Sequence, residues 1–243
     1  MFNSKNKDGL SIIIPTRNEE NIVIKNLTII HSYVKNIPTI KNFELLICDY
    51  SEDNTEKLVL TFIRNYIEIK YFNVKTRGIG AGLKTGIKNA CYQKIIFYPI
   101  DLAYDIHSIK NMSRKIDEGY DIVFGSRRHS KAFEKKPLNR RILSDIYSFL
   151  IKYILNIKIK DTQGVFALKT SKINYFKKLE SDDGFFQTEL ALFGDIYNSK
   201  IIELPVNQIE PDNRQTKTNQ FILGYYMMKK LIKISFKIRK NKI

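Results

Sequence analysis

The chain has 243 residues, of which 43% are apolar, and it carries a formal net charge of +16. This length and apolar content are enough to bury a proper core, which excludes an intrinsically disordered chain. The excess of positive charge favours an anionic partner, which on composition alone is nucleic acid, a phosphorylated small molecule or an acidic membrane surface.

Two features of the sequence bear on where the chain works. Residues 1–10 are polar and give no ordinary secretory signal, and no uninterrupted apolar run approaches the about 18 residues of a spanning helix. Cys48 and Cys91 lack a metal-ligand spacing. We therefore expect two free thiols in a reducing compartment.

The predicted elements alternate between strands and helices. In chain order they begin with a strand at 10–15, a helix at 16–35, a strand at 43–48, a helix start in 49–55, a strand at 67–74 and a glycine-rich helix start at 75–90. They continue with a strand at 95–99, a helix at 105–118, a strand at 121–125, a helix at 141–157, a turn and strand at 161–168, a helix at 182–193 and a strand at 200–206. This order predicts one α/β layer with a mostly parallel, doubly wound sheet.

The stretch from Lys94 to Asp105 joins an apolar strand to two carboxylates, Asp101 and Asp105. Because α/β proteins bind ligands beyond the carboxyl ends of their parallel strands, the two acids are candidate site residues. The alternative is that an acid after a strand simply caps a turn or a helix. The polar turn after the second strand leaves the same choice open, with Ser51, Asp53 and Thr55 as candidate caps.

The glycine-rich stretch contains Gly78, Gly80 and Gly82, which would let the backbone approach a ligand closely. It is not a Walker A loop, because Leu83 rather than glycine precedes the Lys84–Thr85 pair. It also lacks the third glycine of the dinucleotide fingerprint. A plain structural turn remains the alternative.

Two basic segments follow. The first contains a possible cradle for a phosphate, whose alternative is a solvated loop, formed by Arg127, Arg128, Arg140 and Arg141. The second is the tail at 221–243, in which apolar and aromatic residues at helical spacing alternate with lysines. Such a segment suits an anionic bilayer surface, and the alternative is a helix packed on the domain with a solvated basic face.

Several stretches together resemble the family 2 glycosyltransferases with the GT-A fold, a Rossmann-like nucleotide-diphospho-sugar transferase domain. They are SIIIPTRNEENI, ICDYSEDNT, GIGAGLKTGI, YPIDLAYD and DIVFGSRR, and the match covers roughly residues 10–220. DTQGVFAL, FFQTELAL and the late RQTK resemble the polyprenyl-phosphate branch, the dolichyl-phosphate mannose and glucose synthases. We therefore expect a GT-A domain at 1–220 and a basic amphipathic helix at 221–243.

The resemblance assigns roles to individual positions. The residues it implies for binding the nucleotide sugar are Pro15, Arg17, Glu19, Asp49, Lys84, Asp101, Arg214 and Lys217. The acceptor phosphate would be held by Arg127, Arg128, Arg140 and Arg141. The residues it implies for catalysis are Asp101, Arg127 and Glu189. For Glu189 the role is that of a possible base, and the alternative is a buried helix acid bonded to the backbone.

The acidic metal motif of the family is incomplete here. Asp101 is present, but Pro99 and Ala103 stand where the family has two further oxygen ligands. Mg²⁺ or Mn²⁺ still fits if Asp101 anchors an ion that the donor phosphates also bind, with Asp105 as a second possible ligand. Other readings are loss of transfer with retained binding, or neutralisation of the diphosphate without metal by Lys84, Arg214 and Lys217.

The function that the resemblance implies is inverting transfer of a hexose from a GDP- or UDP-sugar to a polyprenyl phosphate. A phosphate acceptor is already anionic and needs no base, whereas a sugar hydroxyl does. The expected location is peripheral, on the cytoplasmic face of a membrane with an anionic surface, and a membrane-embedded partner subunit stays open. The alternatives are a catalytically altered nucleotide-sugar-binding protein and a family 2 transferase with a glycan acceptor. Nucleic-acid binding has no supporting motif.

Overall fold

The computed structural model of the chain describes residues 7–132, 134–135, 138–172, 175–209 and 220–239. The strands are β1 Lys7–Thr16, β2 Phe43–Asp49, β3 Ile69–Asn73, β4 Tyr92–Phe97, β5 Ile122–Ser126, β6 Glu134–Lys135, β7 Phe166–Lys169, β8 Ile201–Pro205 and β9 Gln208–Ile209. The helices are α1 Val23–Lys35, α2 Thr55–Phe62, α3 Ile79–Asn89, α4 His107–Asp117, α5 Leu138–Leu155, α6 Phe185–Ile196 and α7 Gln220–Arg239.

Seven of the strands form one sheet in the order β3-β2-β1-β4-β7-β5-β8, and β6 pairs with β9 in a separate ribbon. All neighbours in the large sheet are parallel except β7, which runs antiparallel to both β4 and β5. In the register, Thr16 at the end of β1 faces Asp49 at the end of β2, which in turn faces Asn73 at the end of β3. The parallel strands thus end at one edge, here called the carboxyl edge.

The sheet is covered on both faces, as its near-continuous apolar strands predict. In β1 the side chain of Ile13 packs on the face that carries α3, α5, α6 and α7, while Ile12 and Ile14 pack on the face of α1, α2 and α4. Successive side chains of a strand point to opposite faces, so one apolar run serves two cores. The predicted α/β fold with a mostly parallel sheet is confirmed.

Local details differ from the predicted boundaries. The third strand begins at Ile69 rather than at residue 67, and the side chain of Ile67 is 93% exposed. The predicted turn and strand at 161–168 is present as a connection at 161–165 followed by β7, and in that connection the carboxylate of Asp161 accepts the N–H of Gln163 and the N–H of Arg127, the residue after β5. Both cysteines are free, as predicted.

The tail forms a helix that contributes to the core. Leu231 and Ile234 of α7 are buried in the same cluster as Ile151 and Leu155 of α5. Phe236 lies on another face of α7 and is 57% exposed. The tail is therefore a helix packed on the domain, as the alternative to membrane contact expected. The division of the chain at residue 220 stays a prediction. Among the described residues, no helix combines the length and apolarity needed to cross a bilayer.

Candidate active site

Two loops at the carboxyl edge are joined by side-chain hydrogen bonds. The loop after β1 adopts a left-handed turn at Asn18, with φ 54°, and the backbone N–H of Asn18 donates to Ser51 Oγ at 2.8 Å. In return the N–H of Glu52 donates to Asn18 Oδ1 at 2.9 Å, and the N–H of Glu19 donates to Thr55 Oγ1. These contacts fix the two loops that carry the predicted nucleotide-binding residues.

Asp49 is the buried acid of this edge, with 1% of its surface exposed. Its Oδ1 accepts the hydroxyls of Thr16 and Ser51, each at 2.6 Å, and its Oδ2 accepts the hydroxyl of Tyr71 at 3.1 Å. Burial and the Asp49 carboxylate raise the pKa of Tyr71, so the phenol stays a donor. A carboxylate offers about four acceptor positions. Three hydroxyls therefore orient Asp49 and leave Oδ2 with capacity for a ligand, so its role in nucleotide binding stays a prediction.

The glycine-rich stretch lies against the loop at 180–183. Gly78, with φ 137°, is placed so that an added Cβ would overlap the carbonyl oxygen of Asp182, and a Cβ at Gly80 would lie 2.5 Å from the carbonyl oxygen of Ser181. The N–H of Ala81 donates to the Asp182 carbonyl at 3.0 Å. Gly78 and Gly80 are therefore explained by the plain structural turn considered in the sequence analysis. The loop at 180–183 approaches so closely that neither position has room for a side chain.

Lys84, one turn further along α3, is held by the same loop. Its Nζ lies 2.5 Å from Asp182 Oδ1 and donates to the carbonyl oxygen of Glu180 at 3.0 Å. The side chain is 27% exposed. Contact with a donor phosphate stays a prediction, and it would compete with the Asp182 carboxylate. Pro15, Arg17 and Glu19 are half-buried residues at the end of β1 and in the loop after it.

The carboxylates after β4 have different surroundings. Asp101 is half-buried, and its Oδ1 accepts the N–H of Ala103 at 3.1 Å, next to Leu102 with a left-handed φ of 52°. Asp105 lies two residues before α4, and its Oδ1 accepts the N–H of His107, the first residue of that helix, at 3.0 Å. In the described part of the chain, no three His, Cys, Asp or Glu side chains form a group that could hold a metal. A metal here would depend on Asp101 and on oxygens of the nucleotide.

Arg127 forms a buried ion pair with Asp161. Its Nε and Nη2 donate to the two carboxylate oxygens at 2.7 and 2.8 Å, its backbone N–H donates to Oδ2, and its Nη1 donates to Gln208. Asp161 has no exposed surface. Burial alone would raise the pKa of Asp161, but the charge and hydrogen bonds of Arg127, together with the charge of Arg128, lower it to about 2. These contacts commit Arg127 to the protein itself, and they lend no support to its predicted role toward an acceptor.

The other cations predicted at the site differ in how much of them the structure describes. Arg128 pairs with Asp145 at 3.0 Å and lies 3.5 Å from Asp161 Oδ1. Arg140 and Arg141 belong to α5, but their side chains lie outside the described part of the structure, as do residues Arg214 and Lys217 entirely. Of the predicted arginine cradle, the structure thus describes the side chains of Arg127 and Arg128, which are both paired with acids, and the cradle as a whole stays a prediction.

Glu189 is buried in α6 and bonds to the loop at 180–183. Its carboxylate accepts the N–H of Ser181 at 2.9 Å and the Ser181 hydroxyl at 2.8 Å. Burial raises the pKa of Glu189, although both bonds from Ser181 oppose that shift. The contacts match the structural alternative, yet the carboxyl group also lines a cavity of about 520 Å³. A role as base stays a prediction.

Sequence reasoning missed two parts of this region. It assigned no role to Asp161, although a polar DTQ segment before an apolar strand pointed to a buried acid. It also missed the loop at 180–183, whose acids Glu180, Asp182 and Asp183 pair with lysines of α3 and α7. The complementary charges of the loop and of the tail were the available signal.

Comparison with known proteins gives the family. The family model "Glycosyl transferase family 2" matches residues 11–175. A dolichyl-phosphate beta-glucosyltransferase of Dictyostelium discoideum is 28% identical over 247 residues, covering 94% of this chain and 74% of that protein. The enzyme of that name from Mus musculus is 25% identical over 218 residues, covering 83% of this chain and 67% of that protein.

A solved structure shows the same fold. Glucosyl-3-phosphoglycerate synthase from Mycobacterium tuberculosis, in complex with Mn²⁺, UDP and phosphoglyceric acid, superimposes with a TM-score of 0.65 at 15% identity, covering 97% of this chain and 79% of that one. The fold is thus the GT-A fold of glycosyltransferases, and this structural neighbour binds Mn²⁺ together with UDP. The family match covers more than half of the chain. The chain therefore belongs to glycosyl transferase family 2, and it is a glycosyltransferase.

Proposed function

We propose that this glycosyltransferase moves a hexose, with inversion, from a UDP- or GDP-sugar to a polyprenyl phosphate at a membrane surface. The observation that carries the lipid part of the proposal is an exposed apolar surface on two packed helices, α5 and α7. The names of the two relatives, dolichyl-phosphate beta-glucosyltransferase, support the same class of acceptor.

The nucleotide would bind at the carboxyl edge. Asp49 is held there by three hydroxyls and retains acceptor capacity, which suits hydrogen-bond donors of a base or a ribose. Pro15, Arg17 and Glu19 belong to the adjoining loop, whose backbone is tied to the next loop by Ser51 and Thr55. This rigidity favours a preformed nucleotide site.

Asp101 would hold the Mg²⁺ or Mn²⁺ of the reaction. One carboxylate together with phosphate oxygens and waters is an ordinary ligand set for Mg²⁺. The metal would supply positive charge to the departing diphosphate. In this proposal Asp105 keeps its bond from the N–H of His107, and Lys84, Arg214 and Lys217 are the candidates for neutralising the diphosphate without a metal.

A phosphate acceptor explains why a base is dispensable. The phosphate is already anionic, so it can attack the anomeric carbon without losing a proton. Glu189 would be needed as a base only for a hydroxyl acceptor. Its two bonds from Ser181 instead support a positioning role for the loop at 180–183.

The membrane would be contacted by the apolar surface of α5 and α7. Ile146, Phe149 and Tyr153 of α5 are spaced three and four residues apart, so they share one face, and they are 52%, 65% and 81% exposed. Phe236 of α7 is also exposed. With Lys152 on α5 and a net charge of +16, this surface matches an anionic bilayer. A peripheral position on the cytoplasmic face, with or without a membrane-embedded partner subunit, belongs to this proposal.

Transfer is tested by incubating the full chain with UDP-glucose, GDP-mannose or related sugars, Mn²⁺ and polyprenyl phosphate in vesicles. We expect a lipid-linked hexose from one of the donors, and a loss of at least about 100-fold in Asp101→Asn. Asp105→Asn is the matched control: asparagine keeps an oxygen that can accept the N–H of His107, so stability and product formation should both be retained. Absence of product with every donor would discard the proposal.

Membrane binding is tested by sedimentation with phosphatidylglycerol vesicles. Phe149→Ser removes an exposed ring from the surface of α5 and should weaken vesicle binding several-fold. Ile67→Ser is the matched control, because Ile67 is equally apolar and 93% exposed but precedes β3, away from both helices. Equal effects of the two substitutions would contradict a specific role for this surface.

A nucleotide-sugar-binding protein with an altered site is the second candidate. Pro99 and Ala103 at two expected ligand positions favour it. Calorimetric titration with UDP and GDP, with and without Mn²⁺, distinguishes the candidates: tightening by Mn²⁺ favours the enzyme, and indifference to Mn²⁺ favours the altered site. A glycan acceptor is supported instead if Glu189→Gln abolishes transfer to a glycan.

A further inference from the structure

The cavity beside Glu189 has an apolar floor and a charged rim. It has a volume of about 520 Å³ and lies among the β3–α3 connection, the loop before α6, α6 itself and α7. Phe185, Phe193 and Ile234 are buried side chains of its lining. This size is within the range of about 300–1,000 Å³ that is usual for small-molecule sites.

Every acid of the rim has a partner inside the protein. Glu180 pairs with Lys237 at 3.2 Å, Asp182 with Lys84 at 2.5 Å and Asp183 with Lys230 at 2.8 Å. Glu189 is bonded by both the N–H and the hydroxyl of Ser181. Three of the four acids are therefore neutralised by lysines, and the fourth, Glu189, is satisfied by hydrogen bonds.

Three cations that line the same cavity differ from these lysines, because they are not paired with an acid in the described part of the chain. Within the described residues, Arg77, Lys178 and Lys233 form no ion pair with an acid, and Lys178 lies over the ring of Tyr197 at 5.3 Å. Arg77 belongs to the connection after β3, so it faces the cavity from the carboxyl edge, whereas Lys233 belongs to α7. Cations that converge from distant parts of the chain favour an anion, and both arginine and lysine are usual phosphate ligands.

We propose that this cavity binds a phosphate monoester that carries an apolar chain. Arg77, Lys178 and Lys233 hold the phosphate, and the chain lies on the floor formed by Phe185, Phe193 and Ile234. The inference rests on the proposed function, because it gives the prenyl phosphate acceptor a binding site. It is an alternative to the arginine cradle expected from the sequence, of which Arg127 and Arg128 are paired with acids.

The test is calorimetric titration of the full chain with geranyl phosphate, in the absence of vesicles and nucleotide sugar. Lys233→Glu reverses one uncompensated charge and should weaken binding by at least tenfold. Lys229→Glu is the matched control, with the same charge change at an exposed position of α7 outside the cavity, and it should change the affinity less than twofold. Geraniol and inorganic phosphate should each bind at least tenfold more weakly than geranyl phosphate.

Three results of the binding measurements would overturn the inference. If the two lysine variants weaken geranyl phosphate binding equally, the ligand is attracted by the overall charge of the protein. If inorganic phosphate binds as tightly as geranyl phosphate, the apolar floor contributes nothing to binding. Displacement of geranyl phosphate by phosphatidylglycerol vesicles assigns the cavity to an ordinary lipid headgroup. The transfer assay separates this inference from the proposed function. Transfer that persists at the normal KM for acceptor in Lys233→Glu refutes the cavity alone, while charge-specific binding without transfer refutes the function alone.

Discussion

Asp161→Asn keeps the size of the side chain but removes the charge that faces Arg127. The two side chains are 0% and 6% exposed, and two parallel N–H to oxygen bonds of 2.7 and 2.8 Å join them. Removing one partner of a buried pair costs about 3–5 kcal/mol, because the other charge stays buried without compensation. Since a domain is stable by only about 5–15 kcal/mol, the variant should lose a large part of its stability.

Equilibrium unfolding in guanidinium chloride measures this loss. The chain has 14 tyrosines and no tryptophan, so far-UV circular dichroism is the suitable signal. Asp117→Asn is the control, because Asp117 pairs with Lys94 at 3.0 Å but is 55% exposed, and its loss should stay below about 1 kcal/mol. A cost for Asp161→Asn no greater than that of the control would refute the account of this pair.

The double variant Arg127→Leu with Asp161→Leu tests whether Arg127 also binds the acceptor, in addition to its ion pair with Asp161. Replacing both charges by apolar side chains leaves no unpaired buried charge, so part of the stability lost in Asp161→Asn should return, while the N–H groups of Arg127 and Gln163 lose the acceptor that the carboxylate provides. If Arg127 also binds the acceptor phosphate, the stable double variant should lose transfer activity. Retained transfer would restrict Arg127 to the structural pair.

Three further outcomes follow from the contacts. Gly78→Ala, at φ 137° against a carbonyl oxygen, should cost at least about 1 kcal/mol more than Gly119→Ala, at φ 94° in open space, in the same unfolding assay. Because the folded pKa of Asp161, about 2, lies below its ordinary 3.8, the stability that it contributes, on the order of 2 kcal/mol, should be complete above about pH 5 and be lost as the pH falls through 2, and Asp161→Asn should abolish this part of the acid dependence. Tyr98→Phe, which removes a 2.5 Å bond to the carbonyl oxygen of Tyr104, should lower the unfolding free energy by about 1 kcal/mol, and an unchanged midpoint would contradict that bond.

The sequence alone determined the layer architecture. Apolar runs such as 10–15 and 43–48 have no polar alternation, so strands buried on both faces and an alternating α/β order follow from local pattern. The direction of β7 does not follow from it. The strand Phe166–Lys169 pairs with β4 and β5, which lie far from it in the chain, and a short apolar run carries no signal for antiparallel pairing.

The candidate site was likewise only partly predictable from the sequence. The sequence identified Asp49, Asp101 and Glu189 as acids at the ends of strands or in a helix, because local context marks such positions. Only the tertiary structure decided which charges have partners: Arg127 meets Asp161, 34 residues away, whereas Lys233 lines the cavity and forms no ion pair in the part of the chain that the structure describes. The physical reason is that burial and the cancellation of charge depend on contacts between distant segments, and residue type and spacing do not carry that information.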